Sequence, residues 1–140
     1  MLRGIAKIYA RLSYLFQLEV EGHKNDINAA TAKRNAEEKR TLVTQLNAEA
    51  DAIEQNMKQV DAEEEERRKG EEYLKLTDKE KYDDQQASKK EKDAALQMIT
   101  EKRGLATQEA KNVSDAEQVA QVLRGRAADS RAFADKIRQI

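Results

Sequence analysis

The chain has 140 residues, 26 lysines and arginines against 27 aspartates and glutamates, and neither cysteine nor proline. The missing cysteines exclude a disulfide framework and a thiolate metal site, and a net charge of -1 argues against a protein built around a nucleic-acid backbone. With 39% hydrophobic and 4% aromatic residues a wide globular core is excluded, whereas a two-helix seam needs only about two apolar positions in seven.

Proline costs about 3 kcal/mol in a helix interior, so a chain without it, rich in Ala, Glu, Lys, Gln, Arg and Leu, suits long uninterrupted helices. Balanced charge and regular apolar spacing favour helix over disorder. Residues 1–18 carry Arg3, Lys7 and Arg11 and no acid, a net +3. Leu2, Ile5, Ile8, Tyr9, Leu12, Leu15 and Phe16 form an apolar face on the same segment. That is the pattern of a basic amphipathic helix able to lie on a membrane surface. It lacks the continuous apolar core and cleavage site of a secretory signal, and no run approaches the ~20 residues of a membrane span. The expectation is a cytoplasmic protein, with a virion component or a membrane-peripheral protein as alternatives.

Across the first half, Ile5, Ile8, Leu12, Leu15, Phe16, Val20, Ile27 and Ala30, then Leu42, Leu46, Ala50, Ile53, Met57 and Val60, recur in steps of three and four. This predicts a helix over about 2–69 whose seam thins between Ala30 and Leu42. His23, the single histidine, falls beside that stripe and reads as a polar seam residue that sets register. The acidic run Glu63–Glu66 is followed by Arg67, Arg68 and Lys69, a charge order suited to a helix C-terminus. Gly70 fits the left-handed position after a helix. Thr77-Asp78-Lys79-Glu80 matches a capping box that opens the next one. The tip is therefore placed at 70–77, with Tyr73, Leu74 and Leu76 over it. A second helix, about 78–139, carries Leu96, Ile99, Arg103, Ala106, Ala110, Val113, Ala116, Ala120, Leu123, Ala127, Ala134 and Ile137 at the same spacing. The predicted fold is all-α, one domain over 1–140: a long antiparallel two-helix coiled-coil hairpin.

Catalysis finds no foothold. There is no cysteine nucleophile, no phosphate-cradling glycine loop, no serine elbow and no second histidine for a metal. Acid pairs on exposed helical positions have no pocket to shift their pKa. The chain reads as a non-enzyme without cofactor or metal. The informative signal is at the ends, because residues 124–140 also sum to +3 and 19–123 to -7. In a hairpin the termini meet, giving a basic end with aromatic anchors. Arg3, Lys7, Tyr9, Arg11, Phe16, Arg124, Arg126 and Arg131 are the candidate partner-binding residues; closure of the open end is the alternative role.

Leu12, Leu15, Leu18, Glu19, Glu21, Ile27, Ala30, Ala36, Glu37, Glu38, Leu42 and Leu46 together resemble the first helix of the central-stalk proteins of flagellar and type III secretion export apparatus, the FliJ/YscO-like family. The resemblance implies a non-catalytic coiled coil inserted into a hexameric ATPase ring, both termini toward the ring and the tip toward the export gate. No family residue transfers, and the aromatic N-terminus departs from the pattern. The expected function is thus a coiled-coil stalk or adaptor acting through protein contacts. The alternatives are a structural subunit of an assembly such as a phage particle or filament, self-association included, and a peripheral membrane protein held by residues 1–18. Specific nucleic-acid binding is not expected.

Overall fold

A computed structural model describes residues 2–140. Helix α1 spans Leu2–Lys69, a four-residue helix α2 spans Glu71–Leu74, and α3 spans Asp78–Gln139. The described residues contain no strand. The fold is the expected all-α hairpin, α1 packing antiparallel against α3. By internal contacts the chain divides into a base unit, Met1–Arg40 with Lys111–Ile140, and a tip unit, Thr41–Ala110.

Alanine, not leucine, makes the seam of the base unit. On α1 the buried positions are Leu18, Gly22, Ala29 and Ala36, with Leu15, Asn25 and Ala32 half-buried between them. On α3 they are Val113, Ala120, Ala127 and Ala134, with Ala116, Leu123, Ser130 and Ile137 half-buried. The α3 series steps by seven throughout, and the α1 series does so from Gly22 and Asn25 onward. Between the larger Leu18 and Val113, small residues at the buried steps let the backbones come close: a Cβ built on Gly22 would lie 3.7 Å from the Ala127 carbonyl oxygen. The segment expected to be thin, Ala30 to Leu42, therefore holds a closely packed position, Ala36 at 1% exposure.

This register corrects the expected one on α1 in part: of the expected series Leu15, Leu46, Ala50, Ile53 and Met57 are buried or half-buried. Ile5, Ile8, Leu12, Phe16, Val20, Ile27, Ala30, Leu42 and Val60 are exposed, and so is His23, which plays no part in the seam. The weak hydrophobicity of alanine hid the true seam beside a brighter stripe on another face of the same helix. On α3 the expected series is largely in place, although Leu96, Arg103 and Ala110 are exposed. The side chain of Leu2 lies outside the described residues.

The tip unit buries Ala50, Tyr73, Ile99 and Ala106 and half-buries Val43, Leu46, Ile53 and Met57. Gly70 does end α1, but by another route than expected. Its φ of -72° and ψ of 157° are extended rather than left-handed, and it serves as N-cap of α2. Its N–H donates to the Arg67 carbonyl at 3.1 Å. An added Cβ would sit 3.2 Å from that same oxygen, so close approach, not positive φ, favours glycine here. Tyr73 closes the tip, with the Arg67 and Lys81 cations 5.9 and 5.8 Å from its ring centre and Gln85 donating to its hydroxyl at 3.4 Å. Leu76 is half-buried beside it, whereas Leu74, expected to pack there, is 61% exposed.

Thr77 caps α3 as expected: its Oγ1 accepts from the Glu80 N–H at 3.2 Å, the first half of the capping box, and its hydroxyl donates to Glu80 Oε1 at 3.0 Å. Thr77→Ala should therefore cost about 1 kcal/mol, seen as a lower urea midpoint at 222 nm with unchanged slope.

Ion pairs cross the tip unit. Lys102 Nζ lies 2.7 Å from Glu49, Arg103 bonds Glu54 at 2.6 Å and Asp51 at 3.2 Å, and Arg67 holds both oxygens of Asp84 at 2.7 and 2.9 Å. Arg103, expected in the seam, thus works from the exposed rim. The hydrogen bonds from Lys102, Arg103 and Arg67 hold the Glu49, Glu54 and Asp84 carboxyls below the usual carboxylate range. A depressed carboxylate contributes stability that is complete above its unfolded pKa and is lost as pH falls through the folded value. With unfolded values of about 4, the melting temperature should hold from pH 7 to 5 and fall below about pH 4. Thermal scans of the wild type and of Glu49→Gln/Glu54→Gln/Asp84→Asn, in which the fall should shrink, check this. The pairs are exposed, so the shift is small per pair.

Candidate docking surface

The base unit ends unevenly. Near its open end Arg138 pairs with Glu19 and Arg131 with Asp26, and the Phe133 ring meets Tyr14 edge-on at 6.2 Å. The α3 helix stops at Gln139, and every residue of α1 from Arg3 to Tyr14 is exposed. Residues 3–13, ahead of the Tyr14–Phe133 contact, are an exposed helical arm. The last ion pair across the base unit, Arg138 with Glu19, already uses the penultimate residue of α3, so the start of α1 runs on beyond it.

At about 100° per residue, the arm divides into two faces. Arg3, Lys7 and Arg11, four residues apart, line one side with Tyr14. Ile5, Ile8, Tyr9, Leu12 and Phe16 line the other, at 61, 61, 76, 59 and 67% exposure, whereas Leu18 in the seam is 9% exposed. Val20 and Ile27 carry the apolar line onward along the paired part of α1. From Ile5 to Ile27 the stripe that sequence reading took for the hairpin seam is thus, Leu15 apart, an open surface.

On α3, Arg126 borders a shallow apolar surface with Val119, Val122 and Leu123. Arg124 lines a groove with Lys33, Ala36, Arg40, Glu117, Ala120 and Gln121, across which Arg40 pairs with Glu117. Of the eight residues singled out from sequence, Arg3, Lys7, Tyr9, Arg11 and Phe16 share the arm and its root, while Arg124 and Arg126 lie further along α3. Arg131 is engaged by Asp26. Val119 and Val122 were missed because the surrounding alanine series drew attention to the other face of α3.

Compared with protein-family models, curated proteins and solved structures, the chain matches none. Its chemistry rests on its own surface. Among the described residues no group of three or more acids or histidines is placed to hold a metal ion, and no helix is long and apolar enough to cross a membrane. The tip unit has a groove of about 140 Å³ between Met57, Val60 and Ala95, its rim bridged by Lys92 and Asp61 at 3.2 Å.

Proposed function

We propose that the chain is a non-catalytic stalk or adaptor that works through protein contacts made by its base unit. The observation that supports this best is the distribution of apolar surface. Leu12, Phe16, Val119, Val122 and Phe133 are half-exposed or more, while the buried seam is mostly alanine. A chain that buries its small residues and exposes its large ones has contact surface to offer, since exposed aromatic and aliphatic side chains beside arginine are the usual anchors of an interface. Val119, Val122 and Arg126 form the protein-facing site on α3, with Arg124 nearby. The resemblance to export-apparatus stalks supplies one concrete partner, a hexameric ATPase ring, in a cytoplasmic setting.

Titration against the purified export ATPase of the same genome tests that form of the reading. Saturable binding, weakened at least tenfold by Val122→Ser/Arg126→Glu with unchanged helicity, supports it. No binding at tens of micromolar removes the export ATPase. A proximity cross-linker placed at Val119 that traps only solvent in cells removes the protein-adaptor reading as a whole.

A further inference from the structure

The arm carries a second message. Its apolar stripe does not follow the spacing of the hairpin seam. Ile5, Phe16 and Ile27 are separated by eleven residues, as are Tyr9 and Val20. An eleven-residue repeat is 3.67 residues per turn, close to the 3.6 of a straight helix, whereas the seven-residue seam winds around its partner. The stripe therefore runs nearly straight along α1, the shape that a flat surface requires.

Its size exceeds ordinary surface. Seven side chains, Ile5, Ile8, Tyr9, Leu12, Phe16, Val20 and Ile27, are 48–76% exposed. At on the order of 100 Å² each, they pass the roughly 300–600 Å² of the largest apolar patch on a typical monomer.

The charges on the arm select the surface. Arg3, Lys7 and Arg11 repel one another at i,i+4 spacing and stand at the positive end of the helix dipole, with no acid in the first turn to offset it. No acid occurs before Glu19, and the acids at the root of the arm, Glu19 and Asp26, are engaged by Arg138 and Arg131 of α3. The arm is a helix that local electrostatics oppose and that an adjacent sheet of negative charge would favour. A basic face opposite an apolar face with aromatic side chains is the pattern of a helix that lies in the lipid interface.

We propose that α1 from Arg3 to Phe16 is an interfacial membrane helix, its Ile5–Phe16 face seated in the acyl boundary of a bilayer whose anionic headgroups attract Arg3, Lys7 and Arg11. Val20 and Ile27 extend the contact along the same line. This rests on the arm being a contact surface but not on the protein site of α3, which stays free to bind.

Full-length protein is mixed with large unilamellar vesicles of phosphatidylcholine alone, or of phosphatidylcholine with 30% phosphatidylglycerol, and pelleted; the composition is a choice of probe on the order of a bacterial anionic fraction. Binding to the anionic vesicles is expected, weakening as salt rises. Arg3→Gln/Lys7→Gln/Arg11→Gln should lower the partition coefficient on the order of 100-fold, at about fivefold per base. Leu12→Glu/Phe16→Glu, at exposed sites that leave the hairpin intact, should abolish it. Lys79→Gln/Lys89→Gln/Lys90→Gln removes the same charge from the tip unit and should change binding less than threefold. A Phe16→Trp variant should shift its emission to the blue on adding anionic vesicles. No binding at millimolar lipid overturns the proposal, as does binding insensitive to Leu12→Glu/Phe16→Glu. It is equally overturned if those substitutions instead abolish a concentration-dependent dimer in lipid-free sedimentation, which would make a second copy the occupant. Vesicle binding that survives Val122→Ser/Arg126→Glu while the ATPase titration fails separates this proposal from the protein-adaptor reading.

Discussion

Ala29→Leu and Ala127→Leu are each expected to destabilise the base unit by about 1–3 kcal/mol, the ordinary cost of overpacking. The sign runs against the rule that leucine improves a coiled-coil core, and the reason is geometric. Both alanines are essentially sealed, at 1% and 0% exposure. Nearby, the α1 backbone at Gly22 lies within van der Waals reach of the Ala127 carbonyl, as its 3.7 Å virtual Cβ contact shows. Three extra heavy atoms can enter only by pushing the helices apart, which strips contact from the neighbouring alanines. Ile27→Ala, two residues along but 53% exposed, should stay within about 0.5 kcal/mol of wild type. Urea denaturation followed at 222 nm reads all three. A stabilised Ala29→Leu together with a costly Ile27→Ala would place the seam on the brighter stripe.

Tyr73→Ala should cost about 3–5 kcal/mol in the tip unit, the range for removing a buried ring. Tyr73 is 8% exposed and closes the turn with Leu76 half-buried beside it. Its loss also releases the Arg67 and Lys81 cations from the ring face, contacts worth about 0.5–1 kcal/mol each when partly exposed. Tyr73→Phe keeps ring and cations and loses only the 3.4 Å bond from Gln85, so it should cost no more than about 1 kcal/mol. Amide exchange around residues 67–84 discriminates the two. A Tyr73→Phe variant as damaged as Tyr73→Ala would shift the weight from the ring to the hydroxyl.

Local signals were legible in the sequence, and relative ones were not. The stop at Gly70 and the start at Thr77–Glu80 needed only residues within one turn of one another, and the helices end and begin there. The seam of α3 was largely legible because Ile99, Ala106, Val113, Ala120, Ala127 and Ala134 recur at an unbroken step of seven, although a second apolar line, Met98, Leu105, Val119 and Phe133, stays exposed on the same helix. On α1 two apolar lines coexist, and hydrophobicity alone selects Ile27 over Ala29 although burial selects the reverse. Choosing between them requires the partner helix, since alanine is informative only where another backbone comes near. The arm was half legible. Its bases and aromatics were identified, but its freedom from α3 follows from the pairing of Arg138 with Glu19 at the end of α3, a contact that pattern reading along one helix does not include. Arg131 shows the same limit, as nothing in its neighbourhood along the chain points to Asp26.

The crossbars of the hairpin differ greatly in the length of chain they close. Gln85 reaches Tyr73 over 12 residues and Arg67 reaches Asp84 over 17, whereas Arg131 and Asp26 are 105 apart and Arg138 and Glu19 are 119 apart. Closing the longest of these from an open chain costs about 2 kcal/mol more entropy than closing the 17-residue loop, by the logarithmic dependence on loop length. Once the tip has formed, each further crossbar closes only the few residues beyond the last one. Folding is then a zipper with one starting point, and the two classes of defect separate in time. A lesion at Tyr73 slows the refolding limb of a chevron, while one at Ala127 leaves it unchanged and accelerates unfolding.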